Sequence, residues 1–185
     1  MFRYQKLGFT LIEMIVVLAI MAIVSGTLII NFRVSATNVS ARVQTANVVV
    51  GDIRKTQAMA ISGTTYKDQL VCGFGIHYES EISYSIYARL IDPLVPCRAD
   101  TRDRNFSLGD PIIETKTFQN QNMQILGTFP DVFFQLPDPL TFINNNSFAG
   151  GPPASIQIVV KKVLSPATEV TIYPSGKIDI TDTVK

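Results

Sequence analysis

A long apolar stretch with a single charged residue lies near the start of the chain. Residues 9–30 read FTLIEMIVVLAIMAIVSGTLII, and Glu13 carries their only ionisable side chain. As an α-helix, a stretch of this length spans about 33 Å, enough to cross the hydrocarbon core of a bilayer. The pattern therefore predicts a membrane-spanning helix.

An amphipathic pattern continues the helix beyond this stretch. Apolar residues recur at helical spacing at Val39, Val43, Ala46, Val50, Ile53 and Ile61. The polar residue Gln57 occupies the gap between the last two. Gly63, after Ser62, is a natural residue to follow a helix C-terminus. We predict one helix over residues 9–62, whose first half faces lipid or other subunits and whose second half packs on a globular domain.

Beyond Gly63 the helical period gives way to short segments typical of β-strands and turns. The predicted strands cover residues 70–78, 81–91, 112–118, 123–126, 132–136, 155–163, 169–173 and 177–180. In the second strand Tyr84 and Ile86 alternate with Ser85 and Tyr87, as expected for a strand with one buried face. A tight turn is predicted at Pro174-Ser175-Gly176, and loops are predicted at 92–110 and 144–153.

Charge and composition narrow the possible functions. The chain carries 16 Lys and Arg against 15 Asp and Glu, and this net charge of +1 argues against a strongly basic nucleic-acid binder. With one His and two Cys, a His-rich metal site and a Cys₄ zinc site are excluded. Neither a G-x-S-x-G nor a phosphate-loop motif occurs. We therefore expect no metal, no cofactor and no enzymatic activity.

The apolar stretch has three possible interpretations, and they differ in whether the Glu13 carboxylate has a use. Arg3 and Lys6 precede the stretch, so this end should remain cytoplasmic while the rest of the chain is exported. The chain could carry a secretory signal cleaved at residues 24–26, or a plain membrane anchor. Either would hold the Glu13 carboxylate in apolar surroundings, at a cost of about 2.5–3.5 kcal/mol deep in the membrane. Neither interpretation gives this carboxylate a use.

The third interpretation supplies a partner for Glu13. If the chain is cut between Gly8 and Phe9, the new amine of Phe9 lies about 6 Å along the helix axis from Glu13. The amine can neutralise the carboxylate of its own chain or of a parallel neighbour, and the positive end of the helix dipole favours the same carboxylate. Gly8 suits cleavage because a poor helix former leaves the bond extended and accessible.

The sequence GFTLIE at residues 8–13, after a short basic leader and before an apolar run, resembles the class III signal of type IV pilins and type II secretion pseudopilins. The resemblance implies cleavage after Gly8 by a prepilin peptidase, N-methylation of Phe9 by the same enzyme, and a role for Glu13 in setting subunit register. Many family members carry a proline within this helix. This chain has none before Pro93, which leaves Gly26 as the candidate weak point.

The C-terminal region carries a second resemblance. A long N-terminal helix followed by a β-domain that ends in a hairpin is similar to the GspH/FimT group of pseudopilins and minor pilins, with matches at 52–60 and 174–178. The expected fold is α+β and pilin-like, with a hydrophobic first half of the helix and an antiparallel β-rich globular domain. Its predicted parts are a leader (1–8), a transmembrane and assembly helix (9–62) and the globular domain (63–185).

These resemblances imply a structural subunit, either a minor pilin or a pseudopilin, of a type IV pilus or a type II secretion pseudopilus. The implied partners are other pilin or pseudopilin subunits, the prepilin peptidase and an inner-membrane platform protein. The implied location is the bacterial inner membrane, as a single-pass protein with an extracytoplasmic C-terminus, and then a periplasmic or extracellular filament.

Two alternative functions remain open at this point. One is a membrane-anchored extracytoplasmic binding domain. The other is a DNA-uptake minor pilin that binds DNA through C-terminal lysines: Lys161, Lys162, Lys177 and Lys185. Because acidic residues lie among these lysines and phosphate binding needs clustered cations, we do not expect nucleic-acid binding.

Cys72 and Cys97 lie 25 residues apart on the side expected to be exported. Disulfides form in extracytoplasmic compartments, so a bridge that ties the loop after Ile91 to the first strand is expected. The alternative is a pair of buried free thiols.

Several charged and aromatic residues are expected to be structural. The one His, His77, is predicted to be an ordinary strand residue rather than a catalytic base. The carboxylates of Glu79 and Glu81 are expected to be solvated, and residues 98–104 alternate in charge, as in a self-compensated loop. Five phenylalanines are expected mainly in the core: Phe129, Phe133, Phe134, Phe142 and Phe148.

Overall fold

The computed structural model describes residues 10–92, 94, 97, 103–136, 140–147 and 151–183, apart from the side chains of 29–36, 164, 165 and 183. Along these residues one helix, α1 (Leu11–Ile61), precedes the strands. The strands are β1 (Val71–Ser80), β2 (Ser83–Leu90), β3 (Ile112–Thr117), β4 (Met123–Ile125), β5 (Val132–Gln135), β6 (Thr141–Ile143), β7 (Ala154–Val160), β8 (Val163–Ile172) and β9 (Ile178–Thr183). The chain forms two compact units, Met1–Ser40 and Ala41–Lys185.

Helix α1 ends close to its predicted C-terminus. Ser62 and Gly63 form a turn in which Gly63 has a φ of +64° and its N–H donates to the carbonyl of Ala60. The N–H of Thr64 donates to the carbonyl of Met59. These bonds satisfy helix-terminal carbonyls, and the left-handed backbone at Gly63 explains why a glycine follows the helix.

Within the second unit, α1 buries the predicted residues Ala46, Val50 and Ile53, but its buried face is not identical to the predicted one. Val39 and Ile61, predicted on this face, are exposed, whereas Arg42 and Thr56 are buried. The Thr56 hydroxyl donates to the carbonyl of Asp52, and Arg42 Nη1 donates to the carbonyl of Pro166 at 2.8 Å. The centre of the predicted face is therefore confirmed, and apolar periodicity could not indicate the two polar side chains that also lie on the buried face.

The strands form two antiparallel sheets, which confirms the predicted α+β class. One sheet has the strand order β3-β2-β1-β5-β6, and the other has the order β4-β7-β8-β9. The core between them and the helix contains Ile53 from α1, Phe74 from β1, Phe134 from β5 and Ile156 from β7. Every pairing in both sheets is antiparallel.

Some predicted strand boundaries are wrong. The predicted strand 155–163 ends at Val160, because Lys161 and Lys162 form a tight turn in which Lys162 has a φ of +68°. Strand β8 then begins at Val163, well before the predicted start at 169. Strand β6, which has three residues, was not predicted.

The five-stranded sheet buries both of its faces, contrary to the prediction for β2. Tyr84 and Ile86 face the main core, but Ser85 and Tyr87, predicted on the solvent face, are also fully buried. A second cluster covers this outer face and is named here the outer core: Cys72, Tyr87, Phe133 and Phe142, with Cys97 and Phe106 packed against them. Residues 103–110, named here the strap, lie over it.

Candidate functional site

The first turn of α1 presents the predicted assembly residue. Glu13 is exposed, and its N–H donates to Thr10 Oγ1 at 3.3 Å. Within the described residues its carboxylate has no hydrogen-bond partner, so it can accept one from another group. The predicted processing residues Gly8 and Phe9 lie outside the described residues.

An apolar segment follows directly. Leu11–Leu28 has a mean hydropathy of 2.4 and is long and apolar enough to cross a membrane. All its large apolar side chains are exposed, from 45% at Val17 to 79% at Leu11. A helix that is apolar on all sides needs an apolar environment, which lipid or other apolar helices can supply. The sequence continues as helix through Gly26, so the backbone is unbroken at the expected weak point.

The two cysteines join the start of β1 to the loop after β2. Cys72 and Cys97 are bonded to each other, with their Cα atoms 5.3 Å apart, which fits the expected disulfide. Cys72 is buried and lies at an irregularity in the β1–β2 register. The bridge therefore fastens residue 97 to the outer core.

Charged side chains hold the strap on the sheet. Arg89 of β2 donates to the carbonyls of Asp103 and Asn105 and forms an ion pair with Asp110. Arg104 was expected in a solvated, self-compensated loop, but it is buried, and its Nε donates to Gln135 at 3.0 Å. The remaining predicted loop charges, residues 98–102, lie outside the described part.

His77 also fastens the strap. Its Nδ1 lies 2.7 Å from Asp131 Oδ1, and its ring stacks on Phe106 at 4.4 Å between centroids. Asp131 Oδ2 accepts from the Phe106 N–H at 2.7 Å. His77 is thus a partly buried residue of β1, at a predicted strand position, and its aspartate partner had no sequence signal.

Two buried tyrosines stand out electrostatically. Burial raises the pKa of Tyr84 above its usual range, and the neighbouring Asp52, which accepts the Tyr84 hydroxyl at 2.6 Å, adds to this shift. Burial likewise raises the pKa of Tyr87, whose hydroxyl donates to the Arg104 carbonyl at 2.8 Å. Each hydroxyl stays protonated and serves as a structural donor.

A groove of about 250 Å³ lies between the second half of α1 and the end of β3. Asp52 and Lys116 approach to 3.7 Å on its wall, and Lys116 also pairs with Glu114. Hydrogen bonding to Lys116 lowers the pKa of Glu114. Because these charges compensate one another, the groove has no obvious charged ligand.

The remaining candidate residues, for binding DNA or a metal ion, are not brought together into one site. Of the C-terminal lysines, Lys161 and Lys162 lie in the β7–β8 turn, and Lys177 pairs with Asp179 at 2.6 Å. Lys185 lies outside the described residues. Among the described residues no group of three or more His, Cys, Asp or Glu side chains is arranged to hold a metal ion.

The predicted phenylalanine cluster divides between two cores. Phe129 and Phe134 belong to the main core, and Phe133 and Phe142 to the outer core. Phe148 lies outside the described residues. The sequence placed them inside the protein, but it gave no sign that they would cover both faces of one sheet.

Comparison with known proteins bears on the N-terminal segment. The prokaryotic N-terminal methylation motif matches residues 3–29. No curated protein and no solved structure gives a significant match to the chain. The matched residues include the bond between Gly8 and Phe9, together with Glu13 and the apolar segment.

Proposed function

Because the chain is type IV pilin-like and carries a class III prepilin signal, we propose that it is a minor pilin or pseudopilin. In this role it is a non-enzymatic structural subunit of a type IV pilus or of a type II secretion pseudopilus. The observation that carries the proposal is the exposed apolar helix Leu11–Leu28, with one acid in its first turn, inside a matched methylation motif.

Processing would prepare this helix for assembly. The prepilin peptidase cleaves between Gly8 and Phe9 and methylates the new amine of Phe9. That amine belongs to the residue four positions before Glu13, whose carboxylate is exposed and has no hydrogen-bond partner within the described residues. Pairing of the amine with Glu13, in the same or a neighbouring subunit, supplies the charge compensation that an apolar bundle requires.

The proposed location follows from charge and oxidation. Arg3 and Lys6 favour a cytoplasmic N-terminus, so the domain that follows α1 lies outside the cytoplasm. The bond between Cys72 and Cys97 fits an oxidising compartment. The subunit waits in the inner membrane and moves into a periplasmic or extracellular filament.

The contacts that the apolar helix makes in a filament determine where a subunit docks more than they drive assembly. Side chains such as Leu18 and Ile23 leave lipid for an equally apolar protein interior, so their transfer contributes little free energy. Packing shape and the pairing of Glu13 therefore determine where a subunit docks. The proposed family role assigns the work of assembly to a cytoplasmic ATPase and an inner-membrane platform protein.

Glu13→Ala tests the proposal. This variant should insert in the membrane and be cleaved, but enter filaments much less than wild type, as measured by immunoblotting sheared filaments and membranes of the source bacterium. Glu79→Ala, which removes an exposed acid from β1, should assemble normally. Normal assembly of Glu13→Ala would refute the register role. A mature protein that begins at Met1, or beyond the apolar segment, would refute the processing proposal.

A further inference from the structure

We propose that Thr10 is a positioning residue for Glu13. Its side chain fixes the start of α1, and this start determines where the Glu13 carboxylate lies relative to the new chain end. The inference rests on the proposed function, because it concerns the amine released by cleavage between Gly8 and Phe9.

The geometry identifies Thr10 as the N-cap of α1. Its backbone is outside the helix, and α1 begins at Leu11. Thr10 Oγ1 accepts a hydrogen bond from the Glu13 N–H at 3.3 Å, and the Thr10 carbonyl accepts the first intrahelical bond from the Met14 N–H at 3.3 Å. The spacing Thr-x-x-Glu is that of a capping box.

Only one half of this capping box is formed. In a complete box the Glu carboxylate reaches back to the N–H of the N-cap residue. Within the described residues the Glu13 carboxylate makes no such bond, although its own N–H is held by Thr10. The backbone of Glu13 is therefore fixed while its carboxylate remains available for the amine of Phe9.

The surroundings make this cap important. The first N–H groups of a helix have no intrahelical partner, and lipid or an apolar bundle offers no water to replace one. Leu11 and Ile12 beside the cap are exposed and apolar, which suits such surroundings. Without the cap, the helix could start one residue earlier or later. Glu13 keeps its place on the helix in either case, but the backbone before the helix changes direction, and with it the position of the chain end relative to the Glu13 carboxylate.

Substitutions at Thr10 separate capping from packing. Thr10→Val keeps the shape of the side chain but cannot accept the bond, whereas Thr10→Ser and Thr10→Asn keep a capping oxygen with a different shape. A matched control is Thr27→Val, since the Thr27 hydroxyl donates to the Val24 carbonyl inside the same exposed helix. Each full-length variant is expressed in the source bacterium, and the sheared filament fraction is normalised to the mature, cleaved protein.

Thr10→Val should reduce incorporation about fivefold, the population change expected from losing an ordinary N-cap. Thr10→Ser, Thr10→Asn and Thr27→Val should stay within about twofold of wild type. Equal incorporation of all variants would overturn the inference. The inverse order, with Thr10→Val normal and Thr10→Asn defective, would show a packing role and would also overturn it.

Amide hydrogen exchange distinguishes failure of this inference from failure of the proposed function. In detergent micelles the Glu13 N–H should exchange about fivefold faster in Thr10→Val than in wild type, and at the wild-type rate in Thr10→Asn. Unchanged exchange in Thr10→Val would refute the cap itself. A wild-type chain that is not cleaved after Gly8 would refute the proposed function, while the exchange rates would still decide whether Thr10 caps the helix.

Discussion

Gly75 lies where the outer core leaves no room for a side chain, so Gly75→Ala should destabilise the β-rich unit. In the sheet Gly75 pairs with Tyr87 of β2 on one side and with Phe133 of β5 on the other. A Cβ atom at position 75 would lie 2.3 Å from Tyr87 Cζ and 2.5 Å from the Tyr87 hydroxyl. Contacts this short require the ring or the strand to move.

The Tyr87 ring has no free direction in which to move. It is fully buried, it packs against Phe106 and Phe133, and its hydroxyl donates to the Arg104 carbonyl at 2.8 Å. Overpacking of a well-packed core costs about 1–3 kcal/mol. Displacing the hydroxyl would add about 1–3 kcal/mol for a buried polar group left without its partner. We therefore expect a loss of about 3 kcal/mol.

Thermal unfolding of the full chain in detergent, followed by near-UV circular dichroism, measures this loss. At about 2–4 °C per kcal/mol for a chain of this size, Tm should fall by about 6–12 °C. Gly51→Ala is the matched control, because a Cβ at this exposed helical position meets no atom within 4 Å. Its Tm should stay the same or rise, since alanine favours helix.

A second-site variant isolates the clash. Tyr87→Leu removes the ring, so the double variant Gly75→Ala/Tyr87→Leu should be more stable, by at least about 1 kcal/mol, than the sum of the two single losses predicts. Strict additivity, or a Tm for Gly75→Ala equal to that of wild type, would refute the packing argument for the outer core.

Three further predictions follow from the same unit. Cys72→Ser should lower the free energy of unfolding, measured by urea denaturation, by about 3.5 kcal/mol, the value that the chain-entropy relation gives for a loop of 25 residues. An equal loss when the wild-type disulfide is reduced would show that the bridge is responsible. Burial raises the pKa values of Tyr84 and Tyr87, so above about pH 10 the unfolded chain loses protons that the folded chain keeps, and the free energy of unfolding should fall by about 2.7 kcal/mol per pH unit. Absorbance at 295 nm should show that both hydroxyls are protonated at pH 11 in the folded protein. A urea midpoint that stays constant from pH 9 to 11 would contradict this prediction. Arg89→Met should lower the free energy of unfolding by about 3–5 kcal/mol, because the buried Asp110 loses its ion-pair partner. Lys55→Met, which breaks an exposed ion pair, should lower it by less than about 1 kcal/mol in the same denaturation measurement. Similar losses for the two variants would argue against a structural role for the strap.

The N-terminal segment could be predicted from the sequence because its signals are local. The apolar run that forms the first part of α1 is contiguous, and the methylation motif that matches residues 3–29 is contiguous as well. Most strands were also predicted at or near their observed positions, since alternation and turn residues are short-range features.

The outer core could not be predicted because its contacts join distant parts of the chain. Asp131 bonds both His77 and Phe106, and Arg104 is buried beside Gln135. The sequence around each of these residues is typical of a solvated loop or of an exposed strand face. Burial of Tyr87 arises only when the strap covers the sheet. Burial of Arg42 on α1 was not predicted for a similar reason, since its partner Pro166 lies 124 residues away in the sequence.

The position of the strap in the chain sets an order of events while the chain is synthesised. The N-terminal end leaves the ribosome first, and the rest emerges in sequence. Cys97 can meet Cys72 as soon as β1 and β2 have paired, since both cysteines precede the strap. Phe106 must wait for Asp131, which emerges later. Oxidation can therefore come early, while docking of the strap completes the fold only after β5 has joined the sheet.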